Sequence, residues 1–370
     1  MTEAPFEIFL STAPGLEPYL LEETQELGFH EAKAMTGGVS FMGTWPDVWR
    51  ANLWSRGASR VLARIGSFRA FHLAQLDKRA RKFPWGDILR PNVPVRVEAT
   101  CKKSKIYHDR AAAQRIERAI HETLGAPITK DASLRLMMRI DDDLCTFSLD
   151  TSGAPLHQRG FKQFVAKAPM RETMAVLLLR ACGYTGTEPV LDPMCGSGTF
   201  LIEAAEMAKG FASGRARSFA FEDLASFDSA AWETLRAAAK PNDPDQKFIG
   251  FDRDTGAVKG ANENAARAGV ADVISITHQP VSNLNRPDGP PGLVIVNPPY
   301  GARIGTKKPL YGLYASLGER LKNNFSGWRV GLVTTEADLA KTTGLPFIQP
   351  GPPIAHGGLK IKLWTTTPLP

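Results

Sequence analysis

Asn297-Pro298-Pro299-Tyr300-Gly301 follows four apolar residues, Leu293-Val294-Ile295-Val296, and sets an amide, two imino acids and a phenol side by side. Proline fixes φ, has no N–H to donate, and forces the residue before it into an extended shape. Local carbonyls, that of Pro298 among them, are thereby free to face a ligand, and Asn297 adds a side-chain oxygen. Two rigid acceptors beside an aromatic ring suit an exocyclic amine on a planar base. Such an amine is a poor nucleophile because its lone pair is delocalised into the ring. Donating its two N–H groups to Asn297 Oδ1 and the Pro298 carbonyl would bend the nitrogen toward sp3 and aim that lone pair, with Tyr300 stacked on the base. The plainer alternative is a Pro-Pro turn that closes a strand.

A second constellation is Leu191-Asp192-Pro193-Met194-Cys195-Gly196-Ser197-Gly198-Thr199-Phe200. Pro189-Val190-Leu191 before it reads as a buried strand, and Leu201 to Ala208 after it as a helix. A strand, a glycine turn and a helix let a cofactor approach bare backbone at a helix N-terminus. Two cofactors fit, a dinucleotide or S-adenosylmethionine. The dinucleotide fingerprint requires G-x-G-x-x-G and an acid roughly 20 residues on. Here Leu201 stands at the third glycine, and the next strand-end acid is Asp252. An acid at the end of the first strand, Asp192, fits the sulfonium cofactor instead.

These two sites need elements to hold them at strand ends. From residue 170 onward, βα alternation with strands near Val190, Phe248, Val273, Leu293 and Arg329 predicts a doubly wound parallel sheet. Leu359-Lys360-Ile361-Lys362-Leu363-Trp364 alternates and predicts an antiparallel edge strand. Residues 211–246, rich in Ala, Asp, Ser and Pro, read as an insertion between the first helix and the second strand.

The N-terminal part reads as two α+β units. In residues 1–65, strand signals at Phe6–Leu10, Gly37–Gly43 and Val61–Ile65 alternate with helix signals at Gly15–Gly28 and Trp45–Ser55, a ferredoxin-like order. In residues 66–155, Val93–Ala99 reads as a strand and Asp109–Leu124 as a helix. Leu134–Ile140 and Leu144–Asp150 flank Asp141-Asp142-Asp143 as a hairpin.

Charge separates the same regions. Residues 1–49 carry one base and eight acids, whereas residues 50–118 carry seventeen bases and five acids. A basic block of that kind suits a polyanion, against the alternative of a solvated face. Lys102, Lys103 and Lys105 with Tyr107, His108 and Arg110 combine phosphate contacts with flat rings, as RNA binding requires. Arg159, in the polar connection Leu156-His157-Gln158-Arg159-Gly160-Phe161, reads as a further phosphate contact. His157 has no orienting partner in sequence to make it a base.

Cys101, Cys145, Cys182 and Cys195 form no C-x-x-C pair, so neither a disulfide framework nor a metal site is expected. No apolar run reaches the roughly 18 residues of a membrane helix, and the acidic start is unlike a signal peptide; a cytoplasmic protein is expected.

The two motifs resemble those of class I S-adenosylmethionine-dependent methyltransferases acting on amino groups. The chain as a whole is similar to the THUMP-containing RNA guanine-N2 methyltransferases, and among them to the bacterial 23S rRNA guanine-N2 methyltransferases. Ser11-Thr12-Ala13-Pro14-Gly15-Leu16-Glu17, Gly37-Gly38-Val39, Leu53-Trp54-Ser55-Arg56 and the Leu156–Phe161 stretch share in that resemblance, which covers nearly all residues. It implies a ferredoxin-like domain (1–65), a THUMP RNA-binding domain (66–155) and a Rossmann-like methyltransferase domain (156–370).

The resemblance further implies that Asp192, Pro193, Met194, Cys195, Gly196, Gly198 and Thr199 hold the methionine end of the cofactor. Asp252 would accept both ribose hydroxyls, while Asp254 caps the following helix. The family offers an acid to the adenine amine after the third strand. Thr277-His278-Gln279-Pro280-Val281-Ser282-Asn283 holds none, so Gln279 or backbone would serve. The implied catalytic residues are Asn297, Pro298, Pro299 and Tyr300, the implied partner is rRNA rather than tRNA, and no protein partner is evident. DNA adenine N6, a protein glutamine amide, or RNA binding on a vestigial methylase fold are the other readings. The basic α+β half disfavours the first two, and intact Gly196, Gly198 and Asn297 disfavour the last.

Overall fold

The computed structural model describes residues 4–166, 169–300 and 308–370, and these form two compact units. The first holds β1 (Phe6–Ser11), most of α1 (Glu17–Glu26), β2 (Lys33–Met35), β3 (Gly38–Gly43), α2 (Trp45–Trp54) and β4 (Arg60–Arg69). It continues through α3 (Leu73–Ala80), β5 (Val95–Lys102), α4 (Asp109–Leu124), β6 (Leu134–Asp141) and β7 (Leu144–Asp150). The strands make one sheet in the order β2-β3-β1-β4-β7-β6-β5, antiparallel except for β5 beside β6.

The expected limit at residue 65 falls inside β4. That strand pairs with β1 through residues 60–64 and with β7 through residues 62–69, bulging between Arg64 and Gly66. A strand of 10 residues can serve two neighbours over different lengths, because a bulge bends it between them. The turn between β6 and β7 is formed by Asp142 and Asp143, both at positive φ. That is the backbone of a two-residue hairpin whose twist matches its strands.

The second unit comprises α5 (Glu172–Ala181), β8 (Val190–Asp192), α6 (Thr199–Ala208), β9 (Phe248–Asp252), α8 (Thr255–Ala268), β10 (Ile274–His278) and β11 (Leu293–Val296). It ends with α9 (Lys308–Asn324), β12 (Arg329–Thr334), α10 (Ala337–Thr342), β13 (Ile354–His356) and β14 (Leu359–Thr365). Between α6 and β9, α7 (Ser229–Ala237) lies in residues 214–238, which pack with the first unit. There Phe221 and Phe227 stack and edge against Trp49, and Trp232 edges against Phe221 at 5.0 Å. The expected insertion is therefore an aromatic extension of the first unit's core.

The second sheet runs β10-β9-β8-β11-β12-β14-β13, parallel except that β14 is antiparallel to β12 and β13 antiparallel to β14. The alternating Leu359–Trp364 stretch is that antiparallel strand, with the shorter β13 outside it. From β8 the chain proceeds outward through β9 and β10, then returns to place β11 on the other side of β8. That reversal is the switch point at which open α/β sheets bind ligands. All four residues of β11 are 0% exposed, each worth about 1.5–3 kcal/mol of burial. So tight a strand fixes where its C-terminal end stands. Among the described residues, no helix is long and apolar enough to cross a membrane.

Candidate active site

Beta-strand pairing brings the two motifs together. Leu293 and Val294 of β11 lie beside Val190 and Leu191 of β8 in parallel register. Asp192 and Asn297 consequently emerge from neighbouring strand ends, one on each side of the switch point.

The β8 end is a hydrogen-bonded cradle. Gly196 and Gly198 have φ of 53° and 78°, and Gly198 starts α6. A side chain at Gly198 would be strained by its φ and would press within 3.3 Å of Ala261. The Met194 N–H donates to Asp192 Oδ1 at 3.0 Å, and the Gly196 N–H to Asp252 Oδ2 at 2.9 Å. The Cys195 N–H donates to the Phe251 carbonyl, tying the loop to β9. Burial pushes the Asp192 carboxyl up to about 8, against the Met194 N–H and with help from the Asp252 charge. Burial likewise holds the Cys195 thiol well above its ordinary range. Pro193 and Thr199 are buried and Met194 is half-buried, so all the expected loop residues gather here.

Asp252 ends β9. Its Oδ1 accepts the Asp254 N–H at 2.9 Å, so each carboxylate oxygen already has one internal donor and keeps capacity for a second. Asp254 caps α8 by accepting from the Gly256 and Ala257 N–H groups. The Gln279 N–H donates to the Asp252 carbonyl at 3.0 Å, placing its half-buried side chain just past β10.

Residues that sequence reasoning passed over brace this cradle. Asn264 of α8 is 0% exposed; its Oδ1 accepts from the Gln163 and Phe164 N–H groups at 3.1 Å. Its Nδ2 donates to the Phe164 carbonyl at 3.0 Å and to the Ser197 carbonyl at 3.1 Å. The Ala166 N–H donates to Ser197 Oγ at 2.9 Å. A Cβ at Gly260 would stand 2.2 Å from the Phe164 ring. One asparagine thus holds the 163–166 segment against both α8 and the glycine loop. The signal was available as an amide in the middle of a helix, where Asn is otherwise disfavoured.

Arg159 corrects an expectation. It is 3% exposed and pairs with Glu203 at 3.3 Å inside the unit, so it faces a carboxylate rather than an RNA phosphate. Glu203 lies on α6, and nothing local in sequence announces the pairing. Lys162 pairs with Glu172 at 3.0 Å, and burial raises the Glu172 carboxyl.

At the β11 end, Pro298 is buried, and Asn297, Pro299 and Tyr300 are half-buried. Gly301 lies outside the described residues. Asn297 Oδ1 is buried and has no hydrogen-bond partner among the described residues. Leaving an acceptor in that state costs about 1–3 kcal/mol, which a donor arriving with a ligand would recover. The Tyr314 hydroxyl, from α9, donates to the Pro299 carbonyl at 3.3 Å and lies 3.4 Å from Thr334 Oγ1. Tyr314 is 0% exposed and its burial raises the phenol's pKa, which keeps it a donor. Pro298, Pro299 and Tyr300 line a cavity of about 880 Å³. That volume accommodates a nucleotide-sized ligand.

In the first unit, Lys102, Lys103, Lys105 and Arg110 are exposed. Tyr107 is 73% exposed, with its ring 4.3 Å from that of His108, so it is not core packing. Lys105 Nζ stands 4.9 Å over the Phe71 ring, itself 41% exposed. The expected cations and rings therefore do share an exposed region.

Residues 159–346 match the family described as RMKL-like, methyltransferase domain, and residues 7–62 match the RlmL ferredoxin-like domain. A "Ribosomal RNA large subunit methyltransferase K/L" of Psychromonas ingrahamii is 34% identical over 91% of this chain and 47% of the relative. A protein of the same description from Syntrophotalea carbinolica is 35% identical over 93% of this chain and 51% of its own. The chain thus spans about half the length of the curated relatives it matches. SMU.472, assigned as a methyltransferase and solved in complex with SAH, is 26% identical and superposes with a TM-score of 0.88 over 100% of both chains.

Proposed function

The chain belongs to the family of RMKL-like methyltransferase domains, and from that premise we propose that it transfers a methyl group from S-adenosylmethionine to the exocyclic N2 amine of a guanosine in large-subunit ribosomal RNA. The observation that carries the acceptor chemistry is the buried Asn297 Oδ1 at the switch point, which has no hydrogen-bond partner among the described residues. An amine N–H is the donor it lacks.

S-adenosylmethionine, when bound, supplies a methyl group already activated on sulfur. The residues present fit it: positive-φ glycines leave the backbone bare, and Asp192 and Asp252 offer side-chain oxygens on either side of that loop. Asp192 and the 193–199 loop would hold the methionine end, Asp252 the ribose, and Gln279 the adenine. Asn297 Oδ1 and the Pro298 carbonyl accept the two N–H bonds of the guanine amine and turn its lone pair out of conjugation. Tyr314 fixes the adjoining Pro299 carbonyl and so stiffens the turn. Tyr300 stacks on the extruded base, recovering roughly 1–3 kcal/mol of the stacking given up on leaving the helix. No strong base is needed before attack, because the amine starts neutral; the surplus proton leaves toward water from the Asn297 side afterwards.

In this reading residues 66–155 act as a THUMP-type RNA-binding domain through Lys102, Lys103, Lys105, Tyr107 and Arg110, between a 1–65 ferredoxin-like domain and a 156–370 catalytic domain. A ribosomal RNA substrate places the protein in the cytoplasm. The relatives' descriptions name large-subunit rRNA as the substrate of those proteins, and this supports the choice over tRNA. Treating unmodified rRNA with the protein and labelled cofactor, then digesting to nucleosides for mass analysis, should yield N2-methylguanosine. Label on adenosine, or none on rRNA while tRNA is labelled, would overturn the assignment.

A further inference from the structure

The cavity beside Pro298–Tyr300 is lined by four cations, Arg159, Lys162, Arg171 and Arg253, and one acid, Glu172. Two of the four are already paired: Arg159 with Glu203 at 3.3 Å and Lys162 with Glu172 at 3.0 Å. Arg171 and Arg253 are exposed, and neither guanidinium has a partner among the described residues. Their backbones, by contrast, are held. The Arg171 carbonyl accepts the Ala175 N–H at 2.9 Å as α5 begins, and the Arg253 carbonyl lies 3.0 Å from His278 Nε2. Two arginines with anchored backbones, and with no guanidinium partner among the described residues, thus line the cavity that holds the acceptor turn.

The charge of each candidate ligand decides what they are for. S-adenosylmethionine carries a sulfonium and an ammonium against one carboxylate, so its net charge is positive and two arginines favour a phosphate over it. The guanine base is neutral. The anion that accompanies a base into such a cavity is its own backbone phosphate, for which a guanidinium is the matched bidentate donor. We propose that Arg171 and Arg253 form a phosphate-binding pair that holds the RNA backbone beside the nucleotide whose base occupies the cavity. The proposal deepens the function proposed above and rests on it for the identity of the polymer. Base extrusion swings the nucleotide about its backbone, so fixing the flanking phosphate converts a loose encounter into a positioned one.

Equilibrium binding of a short single-stranded RNA centred on one guanosine tests this, using the full chain in the Asn297→Ala background so that no transfer is needed. In the parent, replacing the phosphates flanking the guanosine by uncharged methylphosphonates should weaken binding. In the Arg171→Ala/Arg253→Ala variant that replacement should no longer matter. The slope of log affinity against log salt should fall by about 0.7 for each arginine removed. Arg171→Lys/Arg253→Lys should restore most of the slope, and S-adenosylmethionine affinity should be unchanged in all forms, which also reports an intact fold. Full methylphosphonate sensitivity retained in the alanine variant would overturn the proposal. So would a drop in cofactor affinity, or a weakening of binding that appears only when the central base is guanine, which would make the arginines base readers. If nucleoside mapping instead finds a product other than N2-methylguanosine, the functional reading fails while this binding comparison still stands or falls by itself.

Discussion

At the end of β8 the polar groups are bonded to one another, whereas at the end of β11 one is left over. Met194 and Gly196 donate to Asp192 and Asp252, and Cys195 to Phe251, so the glycine loop is tied down by its own hydrogen bonds. On the neighbouring strand of the same sheet, Asn297 Oδ1 is buried with no donor among the described residues, next to prolines that have none to give. In the proposed reading the first end binds and the second acts. Substitutions at the cradle should therefore change affinity for the cofactor, and substitutions at the turn should change the rate of transfer.

The largest expected effect is at the turn. Asn297→Ala should lower kcat by about two to three orders of magnitude, the scale of losing one preorganised electrostatic partner. Affinities for RNA and cofactor should stay near normal. Steady-state transfer assays with separate binding titrations check this, and an effect confined to KM would move Asn297 to the binding side of the comparison.

Next comes Asp252→Ala. Removing a charged acceptor for hydroxyl groups should weaken S-adenosylmethionine by about 1.5–3 kcal/mol, with kcat at saturating cofactor little changed. Calorimetry would show it; unchanged affinity would place the ribose elsewhere.

Asp192 allows a pH test of the same cradle. Its folded pKa, about 8, lies above the unfolded value near 3.9. Its contribution to stability is therefore fully present below about pH 4 and is lost as pH rises through 8. Asp192→Asn keeps an acceptor for the Met194 N–H but carries no charge. The cofactor-free variant should melt above the parent at pH 8, with the difference closing as pH falls toward 4. Equal melting temperatures at pH 8 would mean that the carboxylate is better solvated than its 2% exposure indicates.

The smallest effect lies outside both strand ends. Lys102→Ala/Lys103→Ala/Lys105→Ala should weaken RNA binding and reduce the salt slope by roughly 0.7–0.9 for each phosphate released from a lysine, leaving cofactor affinity alone. A slope that does not move would make the exposed cluster a solvated face.

Sequence legibility divides along similar lines. The β8 and β11 ends could be read because each is a local pattern, an apolar run followed by residues whose backbone chemistry is special. Gly196, Gly198, Pro298 and Pro299 declare their geometry without reference to anything distant. What could not be read depends on partners far along the chain. Arg159 looks solvent-bound until Glu203 comes beside it from α6. Phe221, Phe227 and Trp232 announce a core but not which one, and they joined Trp49 rather than the sheet on whose connection they lie. Tyr314 gives no sign in its own helix that it will reach the Pro299 carbonyl. The limit expected near residue 65 falls inside β4, one strand whose two halves serve different partners, a pairing that no local pattern announces.

The most direct test of the acceptor chemistry replaces one functional group of the substrate. Inosine is guanosine without the 2-amino group and keeps the same ring face for Tyr300. With a full-length target RNA carrying inosine at the modified position, single-turnover methyl transfer by the wild-type chain should vanish. RNA affinity should stay within about tenfold, since a hydrogen bond contributes only about 0.5–1.5 kcal/mol net. Transfer to the inosine RNA at a rate near that of the guanosine RNA would contradict the assignment of the N2 amine, and with it the role given to Asn297.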